Sequence, residues 1–162
     1  MTEAEMRNHR CCFTGHRPDK LTRSEEQITK DLTAAIDNAI SDGYRTFISG
    51  MAMGVDIWAV RFVLEKKTVL PGLHLICALP FPGFGDRWSS QWSDVYNEII
   101  RQADLVKSIS QSFSYASYQK RNEWMVNHSG RVIAVYNGSA GGTRNTVEYA
   151  QQKKVSCILL LG

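Results

Sequence analysis

The chain has 162 residues, about one domain's worth, and a chain of that length buries about 70% of its unfolded surface on folding. An apolar fraction of 43% and a charged fraction of 22% exclude a disordered chain, a collagen and a coiled coil. Nineteen Lys and Arg against sixteen Asp and Glu leave a net charge of +3, which does not demand nucleic acid but suits an anionic ligand. Cys11-Cys12-Phe13 is a short buried run that stops at Thr14-Gly15. Thr22 to Asp42 reads as a helix, because Ile28, Leu32, Ala35, Ile36, Ala39 and Ile40 recur at three- and four-residue spacing. Ser24 and Gln27 form a capping box at its start, and Gly43 ends it.

Arg45 to Ser49 reads as a second strand that breaks at Gly50, and Gly54 to Lys67 as the helix after it. Leu73 to Leu79 is a nearly continuous apolar strand, the pattern of a parallel sheet covered on both faces. A loop rich in Pro and Gly follows. Trp88, Trp92, Val95, Tyr96, Ile99, Ile100 and Ala103 trace one helix face. Leu105 to Ile109 is a short strand candidate, Tyr118 to His128 a helix, and Arg131 to Tyr136 a further strand. Thr143 to Lys153 is the last helix and Val155 to Leu161 the last strand. This alternation predicts a single α/β domain: a Rossmann-like, doubly wound, mostly parallel sheet with helices on both faces.

The four cysteines, Cys11, Cys12, Cys77 and Cys157, have no C-x-x-C spacing, so they read as buried thiols in a reducing cytosol. The N-terminus has no apolar h-region and does not read as a signal peptide. Thr68 to Gly85, the longest uncharged stretch, carries three prolines and cannot be a membrane helix. The expectation is a cytoplasmic protein with no membrane partner.

In doubly wound folds ligands bind beyond the C-terminal strand ends. Four segments stand there: Thr14-Gly15-His16-Arg17-Pro18, Ser49 to Asp56, Pro80 to Trp88, and Asn137-Gly138-Ser139-Ala140-Gly141-Gly142-Thr143. Glycine, hydroxyl and arginine recur at the same place. Glycines at 50, 54, 141 and 142 let backbone N–H groups approach a phosphate, and a helix starting there adds unpaired amides and its dipole. Thr143 and Thr146 can cap that helix and reach the same anion. Arg17, Arg87 and Arg121 can pair with phosphate bidentately. His16 either buries itself or faces the ligand. Asp56 either caps a helix or accepts from a ribose hydroxyl or a base. Glu148 is either a solvated, ion-paired glutamate or a catalytic acid. Trp88 packs in the core or stacks on a base, and Tyr115, Tyr118 and Trp124 stack or serve an oligomer interface. Walker A and G-x-G-x-x-G fingerprints are absent, as are metal-ligand spacing and a G-x-S-x-G elbow for Ser49, His16 and Asp56.

Taken together these segments resemble the YpsA-like branch of the SLOG superfamily. The resemblance rests on Thr14 to Pro18, Ser49 to Asp56, Pro80-Phe81 and Trp88. Arg121-Asn122 before Met125-Val126, and Gly141-Gly142-Thr143 before Thr146-Val147 and Tyr149-Ala150, complete it. It implies a Rossmann-like bacterial domain that binds a nucleotide or an ADP-ribose-like ligand, with roles in cell division or stress. The implied site comprises Thr14, Gly15, His16, Arg17, Ser49, Gly50, Met51, Gly54, Asp56, Pro80, Arg87, Arg121, Asn122, Gly138, Gly141, Gly142, Thr143 and Thr146. The superfamily also holds the LOG phosphoribohydrolases, which cleave a base from a nucleoside monophosphate, and the DprA-type proteins, which bind single-stranded DNA. The LOG pattern Gly-Gly-x-Gly-Thr-x-Glu-Glu is not kept: Asn145 and Thr146 stand where its glutamates would be, and Glu148 is displaced by two positions. The Phe81 to Trp88 loop departs from the YpsA-like pattern around Phe84, which lacks its glutamine. The expected function is therefore a nucleotide-ligand sensor without turnover, in a homo-oligomer. N-glycosidic hydrolysis, with Glu148 or Asp56 as the catalytic carboxylate, is the alternative, and single-stranded DNA binding comes after it.

Overall fold

The computed structural model describes residues 1–162. Six parallel strands form one sheet in the order β4-β3-β2-β1-β5-β6. They are β1 (Arg10–Gly15), β2 (Thr46–Ser49), β3 (His74–Leu79), β4 (Leu105–Ser108), β5 (Arg131–Tyr136) and β6 (Ser156–Leu161). The helices are α1 (Glu3–Arg7), α2 (Glu25–Ser41), α3 (Val55–Lys67), α4 (Ser90–Gln102), α5 (Tyr115–Asn127) and α6 (Gly142–Gln152). From β1 the chain winds outward through β2, β3 and β4. It then crosses back to β5, so strand order reverses between β1 and β5. The doubly wound α/β reading holds, with every strand pair parallel.

The layers follow from strand alternation. Cys11 and Phe13 point to one face, where α2 and α3 supply Ile28, Leu32, Ile36, Val55 and Val63. Cys12 points to the other, among Met125 and Val126 of α5 and Val147 and Ala150 of α6. The two adjacent cysteines thus belong to two different cores, and burial pushes the Cys12 thiol up to about 12. A third cluster joins Leu75, Cys77 and Leu79 of β3 to Tyr96 and Ile99 of α4. Phe13 and Phe47 stack across β1 and β2 with ring centroids 5.8 Å apart. Fully burying one such side chain contributes about 2 to 3 kcal/mol.

The Ser24–Gln27 capping box forms with both reciprocal hydrogen bonds at 3.2 Å. Gly43, at φ +102°, takes the left-handed position that closes α2 in a Schellman motif: Tyr44 N–H donates to the Ala39 carbonyl and Gly43 N–H to Ile40. Two short elements escape the sequence reading. The five-residue α1 has no buried residue, and Pro18–Lys20 forms a 3-10 turn after β1. No helix is long and apolar enough to cross a membrane.

Candidate ligand-binding site

The reversal between β1 and β5 opens a cleft above the C-terminal strand ends. A cavity of about 320 Å³ occupies it, lined from the β1 loop, the β2–α3 loop, α5 and the start of α6. Glycine packing builds its floor. A Cβ on Gly15 would lie 2.6 Å from the Val55 side chain, so only glycine lets the first turn of α3 seat against β1. Gly54, at φ +92°, tucks under Pro18 in the same way. The loop between is pinned by Ser49, whose Oγ accepts from Met51 N–H at 3.1 Å. Met51 is fully buried with φ +59°, a left-handed conformation costly for a non-glycine residue.

Arg121 reaches from α5 into this floor. Its Nη1 donates to the carbonyls of Gly50 and Ala78, and its Nε to Asn122 Oδ1 at 2.8 Å. A Cβ on Gly50 would lie 2.7 Å from Nη1, so Gly50 makes room for the guanidinium. Asp56 stands in the first turn of α3. Its Oδ2 accepts from Ala52 N–H at 3.2 Å, while the buried Oδ1 has no hydrogen-bond partner. Burial pushes its carboxyl up to about 6, against the pull of Arg121, Ala52 N–H and Arg17. Burial likewise lowers the Arg121 guanidinium from its ordinary value, with Asp56 opposing that shift.

His16 is buried, and its Nε2 accepts from Asn137 N–H at 3.2 Å. An accepting Nε2 is unprotonated. Burial, then the nearby Lys20 charge, hold the ring below the usual histidine value. Asn137 Nδ2 donates to the Lys20 carbonyl at 2.9 Å, and Lys20 Nζ to the Ala140 carbonyl at 3.3 Å. These bonds tie the β1 loop to the β5–α6 loop beside the cavity. Across from them α6 begins at Gly142 behind Gly141, with no side chain capping its first amides.

The structure brings Thr14, Gly15, His16, Arg17, Asp56, Arg121, Asn122, Gly142 and Thr143 to one cavity. Ser49, Gly50, Met51, Gly54 and Gly141 shape its loops. Thr146 turns inward, its hydroxyl donating to the Gly142 carbonyl at 2.8 Å. Four further expected site residues lie outside the cavity lining. Pro80 is buried at the end of β3, where its carbonyl accepts from Ser110 N–H at 3.1 Å. Arg87 is exposed in the loop above β3, two strands from the reversal. Gly138 is an exposed turn glycine at φ +90°. Glu148 is exposed and accepts from Arg144 Nε at 3.1 Å, away from the cavity. Ser49 contacts only backbone, donating to the Asp56 carbonyl and accepting from Met51, so Ser49, His16 and Asp56 make no hydrolytic triad. Trp88 packs edge-on against Phe84 and Tyr96, and Trp124 stacks on His128, whereas Tyr118 does line the cavity. Sequence reasoning missed Asp19 and Lys20, which the 3-10 turn after Arg17 carries to the rim. The turn-favouring Pro18 ahead of them was the available signal.

Fold and site together define a Rossmann-like α/β domain with a polar, cation-lined cavity at its switch point. The chain belongs to the YspA SLOG family (YpsA), which it matches over residues 11–158. It is similar to the uncharacterized SPbeta prophage-derived protein YoqJ of Bacillus subtilis (strain 168), with 36% identity over 143 residues, 78% of this chain and 81% of YoqJ. It is 28% identical over 119 residues to a UPF0398 protein of Bacillus pumilus (strain SAFR-032), covering 72% of this chain and 62% of that relative. In fold it is similar to the DNA processing protein A of Streptococcus pneumoniae, with a TM-score of 0.69 at 17% identity over 97% of this chain. The chain spans only 52% of that larger protein.

Proposed function

We propose that this protein binds a nucleotide or nucleotide-derived phosphate ligand in the switch-point cavity and acts as a sensor without turnover. One observation carries the reading. Arg17, Lys20 and Arg121 line a single cavity together with the first turn of α6, and none of the three is ion-paired with a carboxylate. Free helix amides and unpaired cations around one concavity are the chemistry that holds a phosphate. A volume of about 320 Å³ falls in the range of small-molecule sites. Of the two carboxylates that hydrolysis could use, Asp56 lines the cavity and Glu148 does not. Asn145 and Glu148 are exposed, and Glu148 is paired with Arg144.

The test is a thermal-shift panel of AMP, ADP, ATP, ADP-ribose, NAD, GTP and cyclic dinucleotides, with chromatography of every hit for released base. A ligand at about 100 times its Kd adds about 2.7 kcal/mol of stability. A shift with no free base is expected. Released base would make the protein an N-glycosidic hydrolase instead. Binding of single-stranded DNA alone, with a steep salt dependence, would move it to the nucleic-acid class. No shift with any nucleotide would overturn the reading.

A further inference from the structure

Asp56 carries a charge for which the fold has no use. It is 6% exposed, and its Oδ2 is engaged by Ala52 N–H. That single contact pins the β2–α3 loop, and an asparagine oxygen would accept it equally well without burying a charge. Oδ1 is buried and receives nothing. The charges that act on it come from two elements, Arg121 on α5 and Arg17 on the β1 loop. Neither lies within 4 Å in an ion pair, and Arg121 has its Nε and Nη1 engaged by Asn122, Gly50 and Ala78. The other ionisable residues of the lining are His16, Asp19, Lys20 and Tyr118. Asp56 lines the cavity, and a cavity-lining carboxylate with one buried oxygen unsatisfied leaves its hydrogen bonding to be completed by a donor from the ligand. The cations already present disfavour a positively charged donor, which leaves a neutral one, a ribose hydroxyl or a base N–H, and comparison with a dideoxy nucleotide separates the two.

We propose that Asp56 is the specificity-determining residue of the site: a ribose hydroxyl of the bound nucleotide donates to its carboxylate, so the cavity selects ribonucleotides over their dideoxy counterparts. This rests on the nucleotide reading above and deepens it. The hydroxyl holds the carboxylate in its ionised form. Binding of a ribonucleotide therefore releases a proton where free Asp56 is partly protonated, near its value of about 6.

The experiment is isothermal titration of the whole chain with AMP and with 2′,3′-dideoxy-AMP, or with the corresponding pair for whichever nucleotide the panel finds tightest. A hydrogen bond to a charged group predicts that the ribonucleotide binds at least about 10-fold more tightly. The Asp56→Asn variant brings the ribonucleotide to the affinity of the dideoxy analogue and leaves the analogue's own affinity within about twofold. At pH 6, in two buffers of different ionisation enthalpy, the wild type releases a fraction of a proton on binding the ribonucleotide. The 5′-phosphate, with a second pKa of about 6, releases its own proton with either nucleotide, so the Asp56 contribution is the excess released by the ribonucleotide over the analogue, and Asp56→Asn abolishes that excess. The analogue comparison is made on the wild-type protein and stands whether or not the variant folds. Equal affinities for the two nucleotides, or no excess proton release by the ribonucleotide over the analogue, would overturn the assignment while leaving nucleotide binding intact. Absence of binding by any nucleotide takes both readings down.

Discussion

The two ends of the parallel sheet treat charge in opposite ways. At the N-terminal strand ends, charge meets charge. Arg10 at the start of β1 bonds Glu3 at 2.7 Å, Arg131 at the start of β5 bonds Asp42 at 2.9 Å, and Lys67 bonds Asp104 at 2.7 Å beside β4. At the C-terminal ends the surface also pairs, Arg23 with Asp31 at 2.6 Å beside β6, but inside the cavity Arg17, Asp19, Lys20, Asp56 and Arg121 form no ion pair. Buried charges without partners lower stability, and natural proteins keep them where a ligand completes them. On the proposed function, the paired end serves the fold and the unpaired cavity serves the ligand.

The sharpest way to break this comparison is to remove one cation from each end. Arg121→Met leaves the Gly50 and Ala78 carbonyls without their donor and Asp56 without its nearest countercharge. It should cost about 3 kcal/mol in urea denaturation, for the two buried carbonyls left without a donor. Lys67→Ala removes a partly exposed pair and should cost at most about 1 kcal/mol. Equal costs would mean that the two ends are built alike.

Asp56→Asn should act in the opposite direction. The Asp56 carboxyl is raised from the ordinary 3.8 to about 6 in the folded protein. The folded state therefore holds its proton more tightly than the unfolded chain. That stability is fully present below pH 4 and is lost as the pH rises through about 6. At about 1.4 kcal/mol for each unit between those values, the wild type gives up as much as about 3 kcal/mol by pH 7.5. Asp56→Asn should recover most of it at pH 7.5 and nothing at pH 4, in thermal melts at the two pH values. A variant that is stabler yet loses ribonucleotide affinity is the signature of a group kept for binding.

Much of this division was legible in the sequence, and the misses have a common cause. The loops after β1, β2 and β5 that the sequence singles out all border the cavity, and glycine followed by a helix start is a local pattern. Whether such a loop reaches the ligand depends on which strand precedes it. The Pro80 to Trp88 loop has the same composition. It follows β3, two strands from the reversal, and folds onto Phe84, Trp88 and Tyr96 over the α4 layer. Strand order is a long-range property that glycine spacing does not encode. Arg121 was identified from its segment, yet its job of capping the ends of β2 and β3 while lining the cavity required knowing that α5 crosses behind them. Helix α1 went unread because five residues with no buried face leave no periodicity.

Arg17 tests the unpaired end with little cost to the fold. It is exposed and makes no ion pair. Arg17→Ala should keep stability within about 0.5 kcal/mol and lower affinity for a phosphate-bearing ligand about 10-fold. Arg144→Ala, which breaks the exposed pair with Glu148 outside the cavity, is the matched control and should leave affinity unchanged. If both variants weaken binding alike, the phosphate contact is a diffuse field and not a site.

The smallest effect concerns backbone strain, which the two ends also share unequally. Two non-glycine residues, Met51 and Lys154, have φ near +59°. Met51 is buried in the loop that carries Asp56, and replacing it removes core volume as well as strain. Lys154 is exposed just beyond α6, where Val155 N–H donates to the Ala150 carbonyl and Lys154 N–H to Gln151. This is the Schellman arrangement that Gly43 completes for α2, but with a lysine in the left-handed position. Lys154→Gly relieves the Cβ conflict at the cost of extra freedom in the unfolded chain, for a net gain of up to about 1 kcal/mol in thermal melts. Nucleotide affinity should stay within about twofold, since the change lies at the far end of α6 from Thr143. A change in affinity would show that α6 transmits strain from one end of the sheet to the other, and the separation between a fold-serving end and a ligand-serving end would fail.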